Sequence, residues 1–149
     1  MGIRLSPSRE KAQVILRFSQ RFPEAAKAQI TAVTERLAAL WGFADYEVHF
    51  DLRCPKDTLA ECYVIAESRR AEVHLRKNRL APDILERDLY HELLHIPLWE
   101  LSSAFDSLVV LVPSAQRRGA KKIATAECEH WHEVMSELWR KALVCPSPS

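Results

Sequence analysis

The chain has 149 residues, of which 48% are hydrophobic, and it carries 21 Lys plus Arg against 20 Asp plus Glu. At roughly 100 to 200 residues per domain, this length predicts one domain with enough apolar material for a single core, which excludes extensive disorder. A formal net charge of +1 excludes a dedicated nucleic-acid-wrapping protein, because such proteins carry a strong basic excess.

The cysteine and hydropathy patterns predict where the protein works. The four cysteines form no Cys-x-x-Cys pair, and a chain of this size needs no disulfide bonds to hold its core. No stretch approaches the roughly 18 apolar residues of a membrane span, and the N-terminus lacks the apolar region of a secretion signal. We therefore expect a cytoplasmic protein with reduced thiols and no membrane partner.

The N-terminal half predicts helices followed by strands. Residues 8–21 have the charged, moderately apolar composition of a helix, and a stronger helix is predicted from Pro23 to residue 40 or 41, where Gly42 stops it. Apolar and polar residues alternate over residues 46–52 and again over 71–76, and residues 60–66 are apolar on both faces. Because the connections are short, these three strands are expected to form an antiparallel meander.

The C-terminal half predicts two helices. Pro82 suits the first turn of a helix over residues 81–95, which Pro97 should end. Residues 102–122 stay unassigned, because their apolar run suits a strand or a buried segment and the basic run after it resembles an exposed loop. The last helix is predicted over residues 121–143, and residues 145–149 form a frayed tail. The sequence thus predicts one α+β domain over residues 1–149, with residues 1–22 as an N-terminal extension.

The first of these two helices contains an H-E-x-x-H motif, His91-Glu92-Leu93-Leu94-His95. Residues four apart on a helix differ by about 40° in direction, so the two imidazoles project side by side and can ligate one metal ion. Glu92 then lies beside the metal, where it can take a proton from a bound water whose pKa zinc lowers. The motif therefore predicts a Zn²⁺ site with two histidine ligands and a glutamate general base.

A catalytic zinc site needs a third protein ligand, and the last helix is the place to look for it. The large apolar residues of that helix define its predicted buried face: Trp131, Val134, Met135 and Leu138. Glu127 falls on this face, where a carboxylate is costly unless it is paired or binds a metal. We therefore expect Glu127 to be the third ligand, with His130 and then Glu129 as alternatives.

The HELLH helix after a short series of strands, followed by a helical glutamate, resembles the zincin metallopeptidases. More narrowly, it is similar to the minimal zincins of bacteriophages and prophages and to the ImmA/IrrE and SprT-like groups. The resemblance covers roughly residues 23–143. It implies an N-terminal helix packed on the sheet, then the HExxH helix and a C-terminal helix with the third ligand. It assigns His91, His95 and Glu127 as zinc ligands and Glu92 as the base.

The same resemblance implies a function, a gluzincin-like metallopeptidase that hydrolyses peptide bonds in a protein or peptide substrate. In zincins the strand before the active-site helix commonly offers its edge to an extended peptide, which here implies residues 71–76. Peptide hydrolysis also requires an oxyanion stabiliser. The candidates are Tyr90, His130, His132 and Arg117, of which we name His130.

Two other functions stay open at this point. The first is a catalytically idle zinc-binding module that serves a phage or prophage as a regulatory or structural accessory. The second is a purely structural arrangement of helices on a sheet, which would bind no metal. Substitution of Glu92 by Gln separates the peptidase from the idle module, because it removes the base and keeps the ligands.

A basic cluster precedes the last predicted helix and consists of Arg117, Arg118, Lys121 and Lys122. One interpretation is a solvated loop. The other is a mobile loop near the metal that contacts an acidic substrate, or makes weak contact with nucleic-acid phosphate without sequence specificity.

Overall fold

A four-stranded mixed sheet and four α-helices form the part of the chain that the computed structural model describes, residues 13–19 and 21–144. The strands are β1 (Ile15–Phe18), β2 (Glu47–Asp51), β3 (Ala60–Ile65) and β4 (Arg70–Leu75). The helices are α1 (Glu24–Trp41), α2 (Pro82–Leu94), α3 (Trp99–Val110) and α4 (Arg117–Val144). The predicted α+β class is confirmed, whereas the predicted frayed tail at residues 145–149 lies outside the described residues.

The strand order in the sheet is β1-β2-β4-β3. β1 and β2 are parallel and are joined through α1, and β2 is also parallel to β4. β3 and β4 form an antiparallel hairpin around a short turn at Ala66–Ser68. The predicted three-stranded antiparallel meander is therefore wrong. After β2 the chain passes over the position next to β2 and forms β3 at the edge of the sheet. β4 then runs back between β2 and β3.

The prediction of a helix over residues 8–21 is wrong where the structure describes it, because Ile15–Phe18 form β1. A run of four residues is too short for its hydrophobic period to separate helix from strand. Parallel pairing with β2 decides the conformation, and Phe18 stacks on Phe50 with ring centroids 5.5 Å apart. The predicted N-terminal extension therefore contributes a strand to the core.

One face of the sheet forms the core together with α1 and α2. The strand residues on this face are all at most 1% exposed: Val48, Phe50, Ala71, Val73 and Leu75. The helices contribute residues spaced three or four apart, which are Ile30, Val33 and Leu37 from α1 and Leu85, Leu89 and Leu93 from α2. α1 ends where predicted, at Gly42, whose φ of 79° is a left-handed conformation that glycine adopts without steric cost.

The start of α2 is fixed by its sequence and by one buried ion pair. Pro82 occupies the first turn, as predicted, and Asp83 adds a negative charge near the positive helix end. The carboxylate of Asp88 is 8% exposed and accepts two hydrogen bonds from the guanidinium of Arg79, at 2.7 and 2.8 Å. This bidentate pair fixes α2 against the turn that precedes it.

The C-terminal region is much less buried than the core. The unassigned residues form α3, which has no buried residue, and a short turn at Ser114–Gln116. α4 begins at Arg117, so the basic cluster lies in its first two turns, and the predicted loop is wrong although all four side chains are exposed. Within the described part of the chain, no helix has the length and hydropathy needed to cross a membrane.

Candidate metal centre

α2 presents the two motif histidines side by side. His95 is the residue directly after α2, but its backbone keeps helical dihedral angles, with φ −59° and ψ −28°. Because the backbone is helical through His95, the four-residue spacing places the two side chains next to each other, and the ring centroids of His91 and His95 are 5.5 Å apart. Their side chains are 26% and 20% exposed, so both rings are accessible from outside the core.

Glu129 of α4 completes a group with these histidines. One ligand atom from each of the three residues lies within 4.8 Å of the other two, and His91 Nε2 is 3.5 Å from Glu129 Oε2. Donor atoms on a tetrahedral zinc with bonds of about 2.0–2.1 Å lie about 3.3 Å apart, which small side-chain rotations can reach. Two imidazoles and one carboxylate are also a common catalytic zinc donor set. These residues therefore fit a zinc ion.

Glu127, the residue that the sequence ranked first, does not lie in this group. Its side chain is exposed, and so are Trp131 and Leu138, which were expected to mark the buried face of α4 and are 56% and 57% exposed. His130, the second choice, is exposed as well. The prediction of a buried position for Glu127 is wrong, because large apolar residues mark a buried face only where another element covers them.

The covered face of α4 runs along a different set of residues. His132 and Ser136 are buried at 3% and 5% exposure, and Trp139 and Leu143 pack against the core. At 100° per residue, Glu129 lies about 60° from the direction of His132, whereas Glu127 lies about 140° away. The third-ranked alternative is thus the residue that the fold brings to the histidines.

Glu92 lies next to the histidines and is buried, at 6% exposure. Its Oε2 atom is 4.0 Å from His95 Nε2. Removal from water penalises the charged carboxylate and raises the pKa of Glu92 to about 7, an effect that nearby His91 partly opposes. A carboxyl group with a pKa near neutrality can both accept and return a proton at physiological pH.

A third imidazole, that of His132, lies against the group. Its ring centroid is 3.9 Å from that of His95 and 6.2 Å from that of His91. Its Nδ1 atom is buried and has no hydrogen-bond partner among the described residues. Burial lowers the pKa of His132 and, more strongly, that of His95, which falls to about 4, so both rings are neutral at physiological pH. The sequence named His132 only as one oxyanion candidate and preferred the exposed His130.

The contact between His91 and Glu129 changes the pKa of both side chains. The carboxylate of Glu129 favours the protonated imidazole and raises the pKa of His91. The same contact lowers the pKa of Glu129. The two groups are therefore arranged to attract a positive charge between them, either a proton or a metal ion.

Two cavities border the group. The larger, about 710 Å³, is lined by His91 and Glu92 and by residues 58–60 at the start of β3. The smaller, about 230 Å³, is lined by His95, Glu129 and His132 and by residues of α3. The side chains of this group are thus reachable from solvent through both cavities.

The strand edge near this site differs from the predicted one. β4, which covers most of residues 71–76, pairs with β2 on one side and β3 on the other, so it has no free edge and that prediction is wrong. β3 is the edge strand next to α2, and its first residue, Ala60, lines the larger cavity. An extended peptide at this site would therefore pair with β3.

Comparisons with protein-family models, with curated proteins and with solved structures found no match to this chain. The fold and the site are those of a small α+β protein with two histidines and a carboxylate grouped beside a buried glutamate.

Proposed function

We propose that the chain is a zinc-dependent peptidase in which His91, His95 and Glu129 hold the metal and Glu92 is the general base. One observation carries the proposal: a carboxylate from a helix far along the chain meets both imidazoles of the H-E-x-x-H motif next to a buried glutamate. If the motif had occurred by chance on a purely structural helix, nothing would explain why the Glu129 carboxylate lies beside both of its histidines.

Zinc, when bound, supplies a Lewis acid that polarises a carbonyl group and makes water acidic near neutral pH. The residues of the chain move the protons. The Glu92 carboxylate accepts a proton from the attacking water and then donates it to the nitrogen of the departing amine. Burial raises the pKa of Glu92 to about 7 in the zinc-free chain, and the positive charge of a bound zinc ion would lower it, which favours the carboxylate that accepts the proton.

His132 is better placed than His130 to stabilise the oxyanion of peptide hydrolysis. It is buried beside His95 and lines the smaller cavity, whereas the exposed His130 lines neither cavity. A neutral imidazole donates one N–H, which can stabilise a developing negative charge. We therefore assign the oxyanion to His132.

The substrate is a protein or peptide segment in extended form. Among the described residues β3 pairs with β4 only, so its other edge can accept an added strand, and the larger cavity is lined by the start of β3 together with His91 and Glu92. Strand addition would lay successive peptide carbonyls past Glu92. We propose a cytoplasmic setting with reduced thiols for this reaction, as the cysteine spacing in the sequence predicts.

The test combines elemental analysis with hydrolysis of a mixed library of fluorogenic peptides. We expect one zinc per chain and hydrolysis that a chelator stops and added zinc restores. Glu92→Gln should keep the zinc and lower the rate by about 10²- to 10⁴-fold, because it removes the base and leaves the ligands. Glu127→Gln is the matched control and should keep both zinc and rate.

Two outcomes would contradict the proposal. Hydrolysis by a rigorously zinc-free preparation would mean that the metal has no part in the reaction. Stoichiometric zinc without hydrolysis of any peptide by the wild-type protein would instead favour the idle accessory module.

A further inference from the structure

We propose that the junction of α3 and α4 docks on an anionic lipid surface, and we call residues 107–126 the apolar-basic tip. The proposal uses none of the candidate metal ligands and does not depend on the peptidase activity, although Ala124 and Thr125 at the end of the tip also line the smaller cavity. The proposal rests on three observations: exposed aliphatic side chains, exposed cations that form no ion pair with any described residue, and a charge distribution confined to this part of the chain.

The aliphatic part of the tip is unusually exposed. Leu108 and Val110 near the end of α3 are 58% and 60% exposed, and Leu111 directly after it is 80% exposed. Ile123 in the second turn of α4 is 66% exposed. One such residue needs no explanation, but several at one helix junction form a patch of the kind that marks a binding surface.

The basic part of the tip lies next to these side chains. Arg117, Arg118, Lys121 and Lys122 are exposed, and none is within ion-pair distance of an acidic side chain among the described residues. The Nε atom of Arg117 donates a 2.9 Å hydrogen bond to the carbonyl of Val112, which holds the start of α4 close to the end of α3. The basic residues at the start of α4 therefore lie close to the aliphatic residues at the end of α3, which form the apolar part of the surface. At 100° per residue, Ile123 lies on the opposite side of α4 from the four cations and is not part of it.

The charge of the tip differs from that of the rest of the chain. Residues 107–126 contain four cations and no acidic residue, whereas the whole chain has a formal net charge of +1, so the other residues carry an excess of three negative charges. Cations at the start of a helix also oppose the helix dipole, and no acidic residue compensates them in the first turn of α4. Local helix stability therefore does not explain the cluster.

An anionic membrane surface matches both parts of the tip. Aliphatic side chains can enter the boundary between headgroups and acyl chains, while Lys and Arg stay at the level of the anionic headgroups. A nucleic acid would use the cations but leave the leucines in water. A symmetric contact with a second copy would bring two sets of cations together. The lipid surface is thus the occupant that the chemistry favours.

The test is co-sedimentation of the full chain with phosphatidylcholine vesicles, with and without phosphatidylserine. We expect binding only when phosphatidylserine is present, and weaker binding at higher salt. Arg117→Gln with Arg118→Gln, and separately Lys121→Gln with Lys122→Gln, should each lower the partition coefficient, by about fivefold for each cation removed. Leu108→Ser with Leu111→Ser should also lower it. The lysine and leucine pairs are exposed, so thermal unfolding of these variants should match that of the wild type, whereas the arginine pair also removes the Arg117–Val112 hydrogen bond and serves as the second variant.

Matched controls use exposed residues elsewhere. Arg53→Gln with Lys56→Gln removes two exposed cations, and Leu40→Ser removes a leucine that is 50% exposed; neither should change vesicle binding. The proposal is overturned if phosphatidylserine vesicles do not bind the protein, or if the leucine pair has no effect. It is also overturned if the tip variants lose duplex DNA retention or dimerisation while vesicle binding is unchanged.

Discussion

The two helices that supply the candidate metal centre are held by the fold in different ways. α2 buries a row of leucines in the core and is tied by the Asp88–Arg79 ion pair, whereas the described part of α4 buries only His132 and Ser136. The half of the site on α2 is therefore positioned by hydrophobic packing. The half on α4 has fewer buried residues: Trp139 and Leu143 pack on the core one to two turns beyond His132 and Ser136, and polar contacts such as the His91–Glu129 pair hold the part near the site. A bound metal would consequently stabilise α4 more visibly than α2.

The largest effect that tests this comparison is on folding stability. Leu93 of α2 is completely buried, and Leu93→Ala should lower the free energy of unfolding by about 2–5 kcal/mol. Leu138 of α4 is 57% exposed, and Leu138→Ala should change it by less than about 0.5 kcal/mol. Denaturant unfolding of both variants measures the difference. Equal losses would show that α4 packs as tightly as α2.

The second effect is on metal affinity. Glu129→Gln should weaken zinc binding by about 100-fold or more, because it removes a charged ligand atom rather than an outer contact. Glu127→Gln on the same helix should leave the affinity within about twofold, because this side chain is exposed on another face. Competition with a fluorescent chelator measures both. If Glu127→Gln lost more zinc affinity than Glu129→Gln, Glu127 would be the third ligand, as the sequence predicts.

Part of the fold follows from the sequence alone, and part depends on contacts between distant segments. α1, α2 and the strands β2 to β4 follow from local periodicity, because each carries its own apolar pattern and turn signals. β1 does not, because its four residues become a strand through pairing with β2. α3 does not either, because an apolar run rich in valine favours a strand in isolation and forms a helix here.

The residues of the candidate site also differ in how far the sequence predicts them. His91, Glu92 and His95 form one local motif, so spacing alone brought them together. Glu129 and His132 are found only when the covered face of α4 is known, and that face carries histidine and serine in place of large apolar residues. Glu129 and His132 are three residues apart, so they lie on the same side of the helix, which the sequence alone indicates. The large apolar side chains of Trp131 and Leu138 predicted a different buried face, although both are exposed.

A third prediction concerns the mobility of α4 in the zinc-free protein. Amides of residues 121–130 should exchange hydrogen at least about tenfold faster than amides of residues 88–94, because less apolar surface covers them. Zinc at ten times its Kd stabilises the bound state by about 1.4 kcal/mol, so it should slow exchange around Glu129 by about tenfold. In Glu129→Gln the same zinc concentration should slow exchange little. Exchange on α4 that is already as slow as on α2 without zinc would contradict the comparison.

The smallest effect is on the titration of His91. Because the Glu129 carboxylate raises the pKa of His91 above its ordinary value of 6.5, Glu129→Gln should lower it and Glu127→Gln should not. A histidine whose pKa is higher in the folded than in the unfolded state stabilises the fold. This stabilisation is fully present at pH values below the pKa of the unfolded state and is lost as the pH rises through the pKa of the folded state. Protons therefore compete with zinc for His91 from above pH 6.5 downward. NMR titration of the zinc-free protein measures the pKa, and an unchanged value in Glu129→Gln would show that the two side chains do not meet in solution.

The continuity of α4 sets a distance between the two surfaces of the molecule that we assign. The helix runs without a break from Arg117 to beyond Glu129, and twelve residues at 1.5 Å each span about 18 Å. If the apolar-basic tip rests on a bilayer, the metal centre lies no higher than this above the headgroups. Such an enzyme would reach peptide segments close to the membrane surface and miss those held farther away, so reach rather than side-chain preference would select its substrates.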